Sequence, residues 1–244
     1  GLALGTAPTL LAEIHNGTVE ACWLGLVPLA GWAAARRSRW AGPLVGVASF
    51  ATPYHGIGAA LLVGTVILLA PSQDSPPPWT TRMRRTAWAA LGAILVALPA
   101  FLVLKASLDD PMGLAKKAII TMNFPVFRIN AVDPVAFVHP GDFWTVHLEG
   151  RLTTPFRRTP YLGLGLLALS ALAIVRNRRM SKLLIPAVLT AILALGPYLW
   201  HNGDFVQTAN GDLLALPFSF LLKHLGVAMD HPLRFVGCAV TVLA

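Results

Sequence analysis

The sequence predicts an all-α protein, a polytopic transmembrane helix bundle with short helices and one long external loop. Of its 244 residues, 55% are hydrophobic and 12% are charged, and the mean hydropathy is +0.64. Soluble domains carry about 25% charged residues. Long uncharged runs alternate with short basic clusters. Because lipid offers the backbone no hydrogen-bond partner, each uncharged run is expected to form a helix.

The clearest pattern is a helical hairpin in residues 161–200. Two uncharged apolar runs flank a connector with four basic residues, which are Arg176, Arg178, Arg179 and Lys182. Each run has roughly 15 to 18 residues, close to the roughly 20 that a helix needs to cross a bilayer. Positive charge in a short loop marks the cytoplasmic side. We therefore predict two antiparallel spans with this connector in the cytoplasm.

The same charge rule orders the first half of the chain. The apolar run 21–35 ends at the basic cluster 36–39, and the next basic cluster is 82–85. Between them, residues 41–71 give 31 positions without a formal charge. A single crossing there would put the two basic clusters on opposite sides of the membrane. We therefore predict two short crossings, with a turn at 51–56.

The rest of the chain supplies a linker, two further spans and the polar loops. Residues 72–85 form a Pro-rich cytoplasmic linker, because three successive prolines cannot continue a helix. The run 87–104 then crosses outward, and the polar segment 105–160 is the long external loop. Residues 212–226 are an amphipathic run broken by Pro217, and they are predicted as an interfacial or re-entrant helix lying at the external face. A last span comes after the motif HPLRF.

Charge and cysteine content exclude several classes of protein. The net charge is +8, but ten of the 19 Lys and Arg residues lie in the three basic clusters next to apolar runs. That distribution indicates membrane topology, and no nucleic-acid partner is expected. Cys22 and Cys238 both lie in apolar runs, which argues against a disulfide framework or a thiolate metal site. No Gly-rich phosphate loop, CxxC, HExxH or GxSxG motif is present.

Residues 1–244 are predicted to form a single transmembrane domain that is a segment of a longer protein. The first residues lack both a Met and a basic region, and the last apolar run stops after about ten residues, short of a full span. We therefore expect further elements at both ends.

The first candidate site is the polar turn that carries Glu13, His15 and Glu20. Carboxylates and an imidazole on one external turn could bind a divalent metal ion, the candidate cofactor, or move a proton in catalysis. The alternative is a solvated turn in which Asn16 or Thr18 caps a helix.

The second candidate site combines Arg234, His231, Tyr54 and His55 as substrate-binding residues. Arg234 precedes an apolar run on the predicted external side, where a guanidinium could hold a phosphate by two hydrogen bonds. Its alternative is a snorkelling anchor. Tyr54 and His55 fall in the turn 51–56, where the alternative is an ordinary interfacial aromatic belt. The Asp133-Pro134 and His139-Pro140 pairs indicate turns before they indicate a site.

Several motifs in residues 41–244 resemble the C-terminal half of large bacterial multi-spanning GT-C glycosyltransferases. In order, they are TPYHG, YLGLGLLALSALAI with RNRR after it, LALGP, LPFSFLLKHLG and HPLRF. The resemblance implies an enzyme of the bacterial inner (plasma) membrane that takes a sugar from a polyprenyl-phosphate donor, with membrane lipids as its surroundings. It implies an external acidic residue as base or metal ligand, which here would lie before Gly1 or in the turn Glu13 to Glu20. Arg234 is the residue most comparable to the family's phosphate-binding arginine.

Two other functions fit the same composition. A membrane transporter or lipid flippase would use broken helices at mid-membrane, and the short pair within 41–71 is its candidate. A non-catalytic membrane scaffold is the third hypothesis.

Overall fold

The computed structural model describes residues 19–69, 75–109, 132–139, 160–201, 204–225 and 231–244. Within these ranges the fold is all-α, as predicted, with one small β-hairpin. The α-helices are α1 (Leu26–Ala35), α2 (Ala41–Ala51), α3 (Pro53–Leu69), α4 (Trp79–Asp109), α5 (Leu164–Arg176), α6 (Leu184–Ala194), α7 (Pro217–Leu225) and α8 (Phe235–Leu243). Short 3-10 helices cover Val19–Gly25, Pro134–Phe137, Arg178–Leu183 and Pro232–Arg234. Strands β1 (Trp200–His201) and β2 (Asp204–Phe205) pair antiparallel.

The uncharged stretch 41–71 contains two helices, as predicted, but the break between them is a single residue. Thr52 is extended, with φ −165° and ψ 141°, between α2 and α3. The residue before a proline is disfavoured in the α conformation, whereas proline itself is accepted at the first helical position. Pro53 therefore ends one helix and begins the next. Tyr54 and His55, predicted to lie in a turn, lie in the first turn of α3.

Helix α4 exceeds the predicted span 87–104 at both ends. It begins at Trp79, directly after three prolines, so the second half of the predicted linker 72–85 is helical. The Arg82 Nε donates to the Pro77 carbonyl oxygen at 2.7 Å, which fixes the start of the helix. At the other end α4 runs to Asp109, so residues 105–109, predicted as the start of the external loop 105–160, are helical.

One helix among the described residues is long and apolar enough to cross a membrane. It is the segment Trp79–Val103 of α4, with 25 residues and a mean hydropathy of 2.1 over its apolar window. None of that window is buried inside the protein. The other apolar helices of the described ranges have 10–17 residues. A bundle with several crossings therefore requires the shorter helices to cross as well.

The predicted hairpin in 161–200 contains two helices, α5 and α6, as expected, and both of them pack against α8. The connector is the 3-10 helix Arg178–Leu183, and the Asn177 side chain caps it by accepting a hydrogen bond from the Arg179 N–H at 3.2 Å. The interfacial helix predicted over 212–226 is shorter, since α7 begins at Pro217. The run is interrupted at Pro217, where the helix begins, because a proline in the first turn lacks only an N–H that has no helical partner.

The buried residues in the described part of the chain form two clusters that share α3. At the start of this helix, Tyr54 packs with Phe218 of α7 and Phe235 of α8. Further along, residues such as Leu62 pack against α1 and α2. Helix α3 thus lies at the centre of the described structure and connects its two halves.

Helices α2 and α4 cross closely through small residues. Gly42 and Gly46 are four residues apart and face Ala89, Ala93 and Val96 of α4. An added Cβ at Gly42 would overlap the Ala89 carbonyl oxygen, and one at Gly46 would lie 2.7 Å from the Ala93 carbonyl oxygen. This is the spacing with which small residues let two helix backbones approach in membrane proteins.

The three basic clusters meet at one end of the bundle, called the basic end here. Three of their side chains donate to carbonyl oxygens in the last turns of α1 and α3: Arg85 to Ala34 at 3.0 Å, Arg82 to Leu68 at 2.8 Å and Lys182 to Leu69 at 3.0 Å. The final carbonyl groups of a helix have no helical partner and carry partial negative charge. The cations therefore satisfy these groups as well as setting the charge of this end.

Candidate functional site

The candidate site is built around Tyr54 at the start of α3. Tyr54 is 3% exposed, and its hydroxyl accepts a hydrogen bond from the His231 backbone N–H at 2.7 Å. The Cζ of Arg234 lies 5.7 Å from the centroid of the Tyr54 ring. Residues Tyr54, His231, Arg234 and Phe235 are called the Arg234 cluster here. The structure thus brings together three of the four predicted substrate-binding residues from segments far apart in the chain.

Buried phenylalanine rings pack next to Tyr54 in this cluster. Phe235 meets Tyr54 edge-to-face at 5.2 Å between centroids, and Phe218 meets Phe235 at 6.0 Å. Both phenylalanines are fully buried. Pro232 begins the 3-10 helix before α8, and the Arg234 N–H donates to the His231 carbonyl oxygen at 3.0 Å. The backbone of Arg234 is therefore held on a packed base.

Arg234 itself is half-buried, with its charge over a π face. A guanidinium attracted to an aromatic face within about 6 Å gains about 0.5–1 kcal/mol at an exposed site and more when desolvated. The guanidinium group is planar, and the donors of such a group match the oxygens of a phosphate in pairs. The arrangement can therefore bind a phosphate or carboxylate group with a defined orientation.

His55, the fourth predicted residue, lies inside the bundle. It is 5% exposed, and the neighbouring Thr52 is 4% exposed. The Thr52 Oγ1 has no hydrogen-bond partner among the described residues. Two buried polar side chains therefore flank the start of α3, where the helix dipole is positive.

The Arg234 cluster and the basic end lie at opposite ends of α3. Tyr54 is in the first turn of this helix, and the carbonyl groups bound by Arg82 and Lys182 are in its last turn. The helix has 17 residues, which corresponds to a length of about 25 Å. The two charged regions are therefore separated by nearly the thickness of a bilayer core, which is about 30 Å.

A His–Asp pair near the cluster was not identified from the sequence. The His201 Nδ1 lies 3.3 Å from the Asp133 Oδ1, and this carboxylate also accepts from the Val135 N–H at 2.9 Å. Val132, next to Asp133, packs in the same buried cluster as Tyr54. The sequence indicated only a turn at Asp133, and no local pattern connects it to a residue 68 positions away.

The predicted acidic turn cannot be placed with the Arg234 cluster. Glu13 and His15 lie outside the described residues, and the side chain of Glu20 does as well, although its backbone belongs to the 3-10 helix Val19–Gly25. Within the described ranges no three His, Cys, Asp or Glu side chains gather as a metal site. The roles of the three residues and of a divalent metal ion stay predictions.

Comparison with known proteins adds no relative. No protein-family model matches the sequence, and no curated protein or solved structure matches it either. The similarity of residues 41–244 to GT-C glycosyltransferases therefore stays a prediction from motifs. The fold and the geometry of the Arg234 cluster are the basis for functional inference.

Proposed function

We propose that this chain belongs to a polytopic membrane protein resembling GT-C glycosyltransferases, which binds a polyprenyl-phosphate-linked sugar through the Arg234 cluster. The observation that carries the proposal is the position of Arg234 over the Tyr54 ring, beside His231, at the end of the bundle opposite to the basic clusters. A fixed guanidinium at a membrane surface suits a lipid phosphate better than a neutral ligand.

Exposed apolar side chains support the membrane setting. They cover α4 and also occur on α5 and α6, and the large ones include Trp88, Ile94, Leu95, Leu102, Val103, Leu169, Leu172, Val175 and Val188. Monomeric soluble proteins seldom expose contiguous apolar patches larger than a few hundred Å². Lipid chains cover such a surface without loss of hydrogen bonds. Exposed tryptophans next to the basic end, such as Trp40 and Trp79, suit an interfacial aromatic belt.

The shorter helices cross with help from tilt, bilayer thinning and their 3-10 extensions. The 3-10 helix Val19–Gly25 continues directly into α1, and Pro232–Arg234 continues into α8. A helix shorter than the bilayer is accommodated at a modest cost per ångström of mismatch. In this topology the basic end lies in the cytoplasm and the Arg234 cluster faces the outside of a bacterial inner membrane.

The proposed reaction is the transfer of a sugar, in which Arg234 stabilises charge and a carboxylate acts as the base. The bond between the sugar carbon and the donor phosphate breaks, and the sugar carbon forms a bond to the acceptor hydroxyl oxygen. Arg234 neutralises the departing phosphate, which is charge stabilisation by a preorganised group. The acceptor proton passes to a carboxylate, for which the turn with Glu13 and Glu20 is the candidate.

Substitution of Arg234 tests this function. Arg234→Lys keeps the charge but loses the planar fork, and a charged hydrogen bond contributes about 1.5–3 kcal/mol. Donor affinity should therefore fall by about tenfold or more in Arg234→Lys and Arg234→Ala, measured with a labelled polyprenyl-phosphate sugar and the full-length protein in membranes. Arg176→Lys at the basic end is the control. Equal affinity in all variants, or no sugar transfer to any envelope acceptor, would reject the proposal.

A transporter or lipid flippase is the second candidate, because of the break between α2 and α3. Two buried polar residues, Thr52 and His55, lie at this interruption, and interrupted helices form the binding sites of many transporters. Counterflow of a polyprenyl-phosphate lipid in protein-containing vesicles without sugar transfer would favour this function. The absence of counterflow together with sugar transfer would exclude it.

A further inference from the structure

A cavity at the basic end forms a second site, separate from the Arg234 cluster. It has a volume of about 290 Å³ and lies between the end of α1, the start of α2 and the first turns of α4. Arg37, Arg39 and Arg85 line it together with Ser38. Trp88 and Ile67 contribute its apolar wall. The cavity is thus lined by both cationic and apolar side chains.

The backbone at the end of α1 is arranged so that an arginine enters this cavity. The Arg37 N–H donates to the Ala34 carbonyl oxygen at 3.0 Å, and the Ser38 N–H donates to the Ala33 carbonyl oxygen at 2.8 Å. These two bonds form a Schellman motif, whose left-handed residue is usually glycine. Here it is Arg37, with φ +58°. A non-glycine residue in this conformation is strained, and such strain concentrates at functional sites.

A second guanidinium group, that of Arg85, lines the cavity from α4. Arg85 of α4 donates from Nη2 to the Ala34 carbonyl oxygen at 3.0 Å, which directs it toward the end of α1. Arg37, Arg39 and Arg85 repel one another across the same cavity, and an anion between them would lower this repulsion. Ala41 and Gly42, at the start of α2, also line the cavity, and the first turn of a helix adds partial positive charge.

The geometry points to a phosphate-ester site in this cavity, of the size and polarity to take the headgroup phosphate of an anionic phospholipid from the leaflet at the basic end. The guanidinium groups bind the phosphate oxygens in pairs. The apolar wall with Trp88 accepts the glycerol and first acyl carbons at the level of the membrane interface. Basic pockets between helices on the cytoplasmic side are where such headgroups bind. Free phosphate shares this chemistry, and the two sources are separable by experiment.

Two variants each remove one guanidinium group from the cavity lining. Arg37→Gly places the preferred residue in the left-handed position, so it should keep or raise the thermal stability of the chain. Arg85→Gln removes the second charge and retains hydrogen-bonding capacity. The matched control is Arg84→Gln, which removes the same charge from the neighbouring exposed residue outside the cavity lining.

Native mass spectrometry of the detergent-solubilised full-length protein gives the apparent Kd for phosphatidylglycerol, and calorimetric titration gives that for inorganic phosphate. Arg37→Gly and Arg85→Gln should each weaken phosphatidylglycerol binding about tenfold, the scale for one charged hydrogen bond, while Arg84→Gln changes it less than about twofold. The same pattern with inorganic phosphate alone would identify free phosphate as the ligand. Equal weakening by all three substitutions, or weakening by none, would overturn the site, since it would indicate surface charge alone.

Discussion

Replacing Gly46 by alanine tests how closely α2 and α4 cross. A Cβ at this position would lie 2.6 Å from the Val96 Cβ and 2.7 Å from the Ala93 carbonyl oxygen. One of these atoms belongs to the stiff base of a β-branched side chain and the other to the backbone, so no rotamer change relieves the overlap. The two helices must therefore move apart, and the surrounding contacts loosen.

The size of the effect is best compared with that of Gly64→Ala in α3. An added Cβ at Gly64 meets no atom within 4 Å, so this variant gains helix propensity of about 0.8–1.0 kcal/mol without a clash. Gly46→Ala shares the propensity gain but also overpacks the crossing, which costs about 1–3 kcal/mol. The free energy of unfolding should therefore be about 1–3 kcal/mol lower for Gly46→Ala than for Gly64→Ala.

Equilibrium unfolding of the detergent-solubilised chain, monitored by far-ultraviolet circular dichroism, measures this difference. The folded helix content of the two variants should agree, because both substitutions favour helix. Equal stability of Gly46→Ala and Gly64→Ala would refute the close crossing and the packing of α4 against α2.

Two further predictions concern Tyr54 and the cysteines. Tyr54→Phe keeps the ring but removes the acceptor of the His231 N–H, so it should lower stability by about 1–3 kcal/mol and weaken donor binding. The control Tyr161→Phe, which removes a similar hydroxyl acceptor elsewhere, should lower stability alone. A maleimide should label the exposed Cys22 in the folded chain and reach the buried Cys238 only during unfolding; equal rates at the two thiols would contradict the described packing.

Local patterns in the sequence were sufficient to predict the helices and their main interruptions. Uncharged apolar runs next to basic clusters predict the helices α1 to α6. Pro53 explains why the run 41–71 contains two helices. Two of the helix boundaries that differ from the prediction involve proline as well. Pro217 begins a helix, and the prolines before Trp79 let α4 start early. In both places a proline ends the preceding segment but does not prevent a helix from starting at or directly after it.

Contacts between segments that are distant in the chain were harder to predict from the sequence. The motifs TPYHG and HPLRF each indicated a candidate site residue, yet only the fold brings Tyr54 to Arg234. The His201–Asp133 pair had no local signal at all. Gly42 and Gly46 did have a local signal in the sequence, since their four-residue spacing is typical of close helix crossings in membranes. The left-handed conformation of Arg37 is set by the end of α1 and could not be read from its residue type, which disfavours it.

The central claim is that the basic end and the Arg234 end lie on opposite sides of a membrane. Ala209→Cys and Ser181→Cys, two exposed small positions at the opposite ends, test it most directly in a chain where Cys22 is replaced by alanine. In intact cells a membrane-impermeant maleimide should label Ala209→Cys at once, and Ser181→Cys only after the membrane is permeabilised. Equal labelling of both positions in intact cells, or labelling of Ser181→Cys alone, would contradict the account.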